Sequence, residues 1–493
     1  MNKIFSQSKD ISHEYCCTIV RIGEVTPVPN SDFLGSTLVN GLTIVVRKDE
    51  VKPGDVMFYA ANETQLNEKF LGVNNQYRKD DAEGRNVNYA EMISESDPDK
   101  QKTMVGFFDK NSRVRMIKLK GCPSMGYLFG IDAMAKFCPE VRNVNLEEMI
   151  GEDFDMVNGE LFIKAYVPYK APCRSGGGTG KVDKTKKYDR MIPGQFAFHY
   201  DTEQLNRNME KLHPTDSVTI SVKVHGTSAI FGKVKVKVPF RLQTKCNVLN
   251  KVFNALYSKL PIEWQRMDVG YDNIYSSRTV IKNSFINPSV TKGYYNDDVW
   301  AEYNEILKNY IPDGMTVYGE ICGYLTGSSR MIQKDYDYGC KEGTNKFMPY
   351  RITTKTEMGG VYEWSVEEVK EWTEGLINIF KGVEPQWVDR IMPITILYHG
   401  RLADLYPNLS LTNHWHENAL EKMKSDKNWF MEKNEPMCQH KVPREGVVLR
   451  IDGDEVAEAF KLKCLKFLGK EAELVDAGEV DIEMEQAYGE SVE

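Results

Sequence analysis

The chain has 493 residues, 41% of them hydrophobic and 27% charged, with a formal net charge of -8 and 10 cysteines. That length exceeds what one hydrophobic core organises and predicts two or three domains, while the charge excludes a protein that coats nucleic acid by bulk attraction, because phosphate binding needs clustered Lys and Arg. No window approaches the roughly twenty apolar residues of a membrane span, the first residues hold no apolar signal core and the cysteines form no Cys-x-x-Cys pair, so the expectation is a soluble, cytoplasmic chain with reduced thiols and no membrane partner.

Residues 14 to about 167 read as short strands: Tyr15 to Val25, Ser36 to Arg47, Asp55 to Ala60, Arg113 to Lys120 and Leu161 to Val167. Alternation, β-branched residues and intervening Gly, Pro, Asn and Asp predict a β-barrel, OB-like domain over 1-167 with a polar excursion from Asn74 to Lys110. Residues 168-195, rich in Gly and Lys and poor in large apolar side chains, read as a linker. They are no phosphate-binding P-loop, since Ser175 stands where the first Gly belongs and Val182 where Ser or Thr must meet magnesium.

From Phe196 the pattern is mixed. Helices are expected at Val299 to Tyr310 and Ser365 to Lys381, the second opening on a capping-box spacing, Ser365-Val-Glu-Glu368. Strands are expected at Ser217 to Val224, Lys233 to Val238, Met315 to Ile321, Ile394 to Tyr398 and Gly446 to Ile451. This is an α+β domain on antiparallel sheet over 196-471, with a helical insertion at 358-441 and an acidic tail at 472-493. Basic clusters at Arg113 to Lys120, Lys181 to Arg190 and Lys461 to Lys466 are each, taken alone, ordinary solvated faces.

In Val218-Thr-Ile-Ser-Val-Lys-Val224, Val218, Ile220, Val222 and Val224 fall on one strand face, and Thr219, Ser221, Lys223 and His225 on the other. A lone lysine there is usually solvent-facing. Lys223-Val-His-Gly-Thr-Ser228, however, resembles motif I of the covalent nucleotidyltransferases, the ligases and mRNA-capping enzymes, and its His-Gly-Thr form resembles the RNA ligases. In the family's order follow Ser276-Ser-Arg278, similar to motif Ia; Val317-Tyr-Gly-Glu-Ile-Cys-Gly323, to motif III; Glu445-Gly-Val-Val-Leu-Arg450, to motif IV; and Phe460-Lys-Leu-Lys463, to motif V. A β domain ahead of the transferase domain, with the stretch Arg113 to Gly126, resembles the Naegleria/Deinococcus-type nick-sealing RNA ligases, with a nucleotidyltransferase domain of the ATP-grasp-like ligase type.

The resemblance implies an ATP-dependent RNA ligase that forms a lysyl-AMP on Lys223, adenylylates an RNA 5'-phosphate and seals 3'-OH/5'-phosphate nicks in RNA or an RNA-containing duplex. It assigns Lys461 and Lys463 to the α-phosphate, Val222, His225, Gly226 and Arg278 to the nucleotide side, Glu445 to a Mg2+ or Mn2+ shell and Glu320 to the ribose or that same shell. Tyr350 is the candidate adenine platform, although Arg351 follows where related ligases often carry an acid, and Arg207 is the candidate upstream phosphate contact. A monomer is expected.

Three alternatives stay open at this level. A DNA ligase or capping-type guanylyltransferase is disfavoured by His225 and by the lack of a carboxy-terminal OB domain, and a nucleic-acid-binding protein with an inactive transferase domain by the retained Lys223, Glu320, Glu445, Lys461 and Lys463. His414, His416, Cys438 and His440 could form a zinc site, but their one-residue gaps are unlike structural-zinc spacings.

Overall fold

The computed structural model describes residues 4–9, 11–166, 190–200, 202–258, 266–278, 281–282, 299–409, 411, 414–425, 433–453 and 458–476. Most of the expected linker and the expected tail beyond 476 therefore lie outside the described residues. The chain divides into two compact units, the first holding the described residues up to 166 with 206–209 and 468–476, the second holding 190–205 and 210–467.

In the first unit, two of the sheets are built from β1 (Cys17–Arg21), β2 (Thr26–Pro27), β3 (Leu34–Val39), β4 (Leu42–Arg47), β5 (Val56–Ala60), β6 (Tyr127–Phe129) and β7 (Asp153–Phe154), and shorter strands lie among and after them. One antiparallel sheet runs β6-β5-β1-β7 and another β2-β3-β4. The run Ser36 to Arg47, expected as one strand, is a hairpin: Asn40 and Gly41 sit at φ 47° and 68°, the left-handed pair that a tight two-residue turn demands. Ile19, Phe58, Phe70, Phe129, Phe154 and Phe162 close the core. Helix α1 (Glu68–Val73) is capped by the Asn67 side chain, which accepts from the backbone N–H groups of Lys69 and Phe70. The polar excursion holds α2 (Lys79–Ala82), α3 (Tyr89–Ser94) and α4 (Pro98–Thr103), and α5 (Ile131–Phe137) follows β6.

The second unit is built on two five-stranded sheets. Its main elements are β8 (Glu203–Gln204), β9 (Ser217–Lys223), β10 (Thr227–Pro239), α6 (Asn247–Tyr257), β11 (Met267–Ser276), α7 (Val299–Leu307), β12 (Met315–Gly323), β13 (Asn345–Lys355), β14 (Val361–Glu363), α8 (Val366–Val383), β15 (Ile396–Arg401), α9 (Trp415–Ser425), β16 (Gly446–Ile451) and β17 (Ala459–Lys463). One sheet runs β8-β17-β16-β9-β15 and the other β11-β10-β12-β13-β14. Only the β8–β17 pair is parallel.

Residues directly opposite in an antiparallel pair share a face. The register therefore lays three polar rows across the first sheet: Lys223, Gly446 and Lys463; Ser221, Val448 and Lys461; Thr219, Arg450 and Ala459. Val218, Ile220, Val222, Val447, Leu449, Phe460 and Leu462 make the buried opposite face. Against the second sheet pack Trp300, Tyr303 and Ile306 of α7 and Val369, Leu376 and Phe380 of α8, each worth about 1.5–3 kcal/mol where an aliphatic or Phe side chain is fully buried. The Ser365–Glu368 capping box has both its hydrogen bonds.

The region 358–441, expected as a helical insertion, supplies α8 to that core and β15 to the edge of β9. It is part of the framework that holds Lys223. Among the described residues no helix is long and apolar enough to cross a membrane.

Candidate active site

Strand β9 ends at Lys223 and β10 begins at Thr227, so Val224-His-Gly226 carries the chain from one sheet to the other. Gly226 stands there because of close packing: a Cβ would lie 2.3 Å from the Ile321 carbonyl oxygen and 2.9 Å from Glu320 Cγ. Its N–H donates to Glu320 Oε1 at 3.2 Å, and Gln333 Nε2 donates to its carbonyl at 2.7 Å. Glu320, buried on β12, is thus fastened to the turn that follows the lysine.

Beside the turn, Lys223 Nζ lies 2.8 Å from Glu445 Oε1, and Lys463 Nζ 3.8 Å from the same oxygen. Glu445 is 2% exposed; its Oε2 is buried without a hydrogen-bond partner, with His225 Nδ1 3.6 Å away. His225 is fixed through its backbone N–H, which donates to the Tyr338 hydroxyl at 2.7 Å, and its ring packs edge-on against Tyr336 and Phe467. Burial pushes the Tyr338 phenol up, so it stays a neutral acceptor. Gly446, next in the motif, is also forced, since a Cβ there would meet the Leu462 carbonyl oxygen at 2.1 Å.

A pocket opens from Lys223 between the two sheets. Ser221, Val222, Lys223, Val448, Arg450 and Lys461 line it from the first sheet, and Ser228, Glu320, Tyr350, Arg351 and Glu363 from the second, with Arg278 and His199 at its wall. Tyr350 and Arg351 are chain neighbours, yet both reach the pocket. The β12–β13 register jumps from Tyr318 opposite Arg351 to Gly319 opposite Pro349, leaving Tyr350 as the extra residue of a β-bulge, which re-aims a side chain that strict alternation would turn away. The His199 ring stands edge-on to Tyr350 at 5.1 Å.

Arg351 closes the far end. It makes a bidentate pair with Glu363, Nε to Oε1 at 2.7 Å and a terminal nitrogen to Oε2 at 2.8 Å, and its guanidinium lies over the rings of Tyr200 and Tyr318 at 4.6 and 4.5 Å. Burial works against its charge, but the Glu363 carboxylate outweighs it and raises the guanidinium pKa. Arg450 shares this end, its terminal nitrogen donating to the Trp364 carbonyl.

The fold thus gathers Lys223, Val222, Glu320, Arg278, Tyr350 and Lys461 around one pocket, and brings His225, Gly226, Glu445 and Lys463 to its mouth through Lys223. Arg207 belongs to the first unit, where it pairs with Asp153 at 2.8 Å and donates to Thr18 Oγ1 at 3.1 Å, and it is not among the residues that line the pocket in the second unit. Sequence reasoning missed Glu363, Tyr338 and His199, which carry no local signal. Arg450 ends the Glu445–Arg450 run and was available to it.

The zinc set that the spacing disfavoured is not assembled among the described residues: His414 pairs with Glu417, His416 with the Leu212 carbonyl, and among those residues the one candidate metal group is Glu367, His399 and Asp452. A divalent cation fits the mouth better, because Glu445 Oε2 is a buried carboxylate oxygen without a donor, and hard oxygen ligands suit Mg2+ or Mn2+.

A family model described as an OB-fold domain matches residues 16–95. No curated protein sequence matches the chain. Among solved structures, a mutant of Naegleria gruberi RNA ligase with AMP and Mn is 16% identical, covers 92% of this chain and 98% of its own, and superposes with a TM-score of 0.50. The same ligase with PPi (16% identical, 93% and 99% covered, TM-score 0.48) and a mutant of it with ATP and Mn (15%, 92% and 98%, 0.49) are also similar. The chain therefore has the fold of an RNA-ligase nucleotidyltransferase preceded by an OB-fold domain.

Proposed function

We propose that the protein is an ATP-dependent RNA ligase that seals 3'-OH/5'-phosphate nicks through a lysyl-AMP intermediate on Lys223. The observation that carries this reading is the convergence at one pocket of Lys223, Lys461 and Glu320, with Glu445 and Lys463 in contact with the Lys223 amine or its carboxylate partner.

In the first step the Lys223 amine attacks the α-phosphorus of ATP, the bond to the β-phosphate breaks and pyrophosphate leaves. The amine must first give up its ion pair with Glu445, and Glu445 is then left to a cation. A divalent ion held by Glu445, with Glu320 as a further candidate ligand, would supply Lewis-acid neutralisation of phosphate charge. Lys463 lies in the Lys223 row and Lys461 in the next, and both offset charge on the α-phosphate. The purine sits along the Ser221 and Val448 row, with Tyr350 as its stacking surface. In the second step a 5'-phosphate oxygen of RNA attacks the bound AMP and frees Lys223. In the third, the 3'-hydroxyl displaces AMP and forms the phosphodiester.

The test is direct. Purified protein is incubated with α-labelled ATP or GTP and a divalent metal, quenched in denaturant, and any acid-labile adduct mapped by peptide mass. Label from ATP on Lys223 and none in Lys223→Ala supports the reading, and sealing of a nick whose 3'-OH strand ends in RNA extends it. Label from GTP would favour a capping-type enzyme, and no label in protein free of bound AMP would overturn the reading.

A further inference from the structure

Helix α6 is turned inside out. Its polar residues Asn250, Asn254 and Tyr257, spaced to share one helix face, tie it to its own loop: Leu242 N–H donates to Asn254 Oδ1 at 2.8 Å, Asn254 Nδ2 to the Leu242 carbonyl at 3.1 Å, Thr244 N–H to Asn250 Oδ1 at 2.8 Å and Arg266 N–H to the Tyr257 hydroxyl at 2.6 Å. Its apolar residues point outward, with Val248, Leu249, Val252, Phe253 and Leu256 exposed by 72%, 52%, 54%, 36% and 63%. No residue of the helix is buried. A contiguous apolar strip of this kind marks a surface that something covers.

The charge around it narrows the occupant. From Asp216 to Glu263 the chain has no acidic residue between, in a protein of net charge -8, and Arg241, Lys245 and Lys251 lie on the helix or on the loop tied to it. Lys237, Arg241, Lys245 and Lys251 are exposed. A second copy of the same face would bring like charges together, and an RNA backbone gains nothing from five apolar side chains. The fitting partner is acidic and apolar at once.

The chain itself contains such a segment. Residues 480–493, outside the described residues, begin Val480-Asp-Ile482-Glu-Met484-Glu485, add Glu490 and Glu493, and contain no Lys or Arg. Apolar and acidic residues alternate, so an extended strand would put Val480, Ile482 and Met484 to one side. Six extended residues span about 20 Å, against about 16 Å for an eleven-residue helix.

We propose that residues 480–493 cover the outward face of α6, their apolar side chains against Val248, Val252 and Leu256 and their carboxylates toward the surrounding Lys and Arg. This does not rest on the ligase reading, and Lys223 adduct formation serves as an independent control of folding.

The test uses the full chain with the photocrosslinker p-benzoylphenylalanine at position 252. Irradiation, selection of monomer mass and peptide mapping should give a crosslink to 480–493, reduced at least fivefold in Asp481→Asn/Glu483→Gln/Glu485→Gln and by high salt. A crosslink yield to 480–493 that the triple substitution leaves unchanged would overturn the proposal, as would crosslinks to the α6 of a second chain or to none. Flotation of the full chain with phosphatidylglycerol vesicles, equal to that of the triple variant, would make a lipid surface the occupant and overturn it as well.

Discussion

Two buried ion pairs in the second unit make an instructive contrast. Arg351 and Glu363 are saturated: two parallel hydrogen bonds, two flanking aromatic rings and no carboxylate oxygen left over. Glu445 is less fully met: Lys223 stands 2.8 Å and a second lysine 3.8 Å from the same oxygen, while its buried Oε2 has no hydrogen-bond partner and His225 Nδ1 lies 3.6 Å away. A buried pair must recover a desolvation cost of several kcal/mol, and the first does so through geometry. The second leaves part of that cost standing at Glu445 Oε2, and under the proposed reading a bound cation would recover it.

The contrast can be broken at either pair. Lys223→Ala should lower adenylylation by at least ~1000-fold, as loss of a covalent nucleophile does, while the melting temperature stays within a few degrees because Lys463 still faces Glu445. Arg351→Met should do the reverse, lowering unfolding free energy in urea by about 3 kcal/mol because Glu363 is left buried with only Arg450, 4.0 Å from Oε1, as a partner; Arg351→Met/Glu363→Leu should recover most of it. Equal losses in the single and double variants would show that the pair is not the unit of stability.

Glu445→Gln should reduce adduct formation by ~10–100-fold and raise the divalent-ion concentration for half-maximal rate, the range seen when a metal site loses a supporting group. Stability should hold. An unchanged metal titration would remove Glu445 from the ion's shell.

The smallest effect comes from Lys424, where burial holds the amine down to about 8. The unfolded chain, with a lysine pKa near ~10.4, binds more protons between those values, so stability should rise with pH across that window. The contribution is about 1 kcal/mol once solvent screening is allowed for. The difference in unfolding free energy between the protein and Lys424→Met, measured from pH 7.5 to 10.5, isolates it, and a flat difference would refute the shift.

Much of the second unit was legible because its chemistry is local in sequence. The strand carrying Lys223 alternates cleanly, the Ser365–Glu368 box announces α8, and Glu445–Arg450 and Phe460–Lys463 fall on adjacent strands as their patterns predict. Non-local partners were not legible. Nothing in 358–441 announces that Ile396–Arg401 pairs with the nucleophile's strand, because an edge strand of intermediate burial shows no strong period. The Ser36 to Arg47 hairpin was hidden by continuous β-branched composition, although Asn40-Gly41 was the signal to read. That Arg207 falls in the first unit was not legible either, because an arginine upstream of a lysine says nothing about which unit will hold it.

The bulge at Tyr350 also constrains how this strand can evolve. Deleting that one residue would restore regular pairing, yet it would remove the ring beside His199 and free Arg351 from the register that brings it to Glu363. An insertion is as disruptive, since every residue on one flank would change faces. Length is therefore the constrained property here, and lineages descending from this sequence should keep the count between Tyr318's partner and Pro349 fixed.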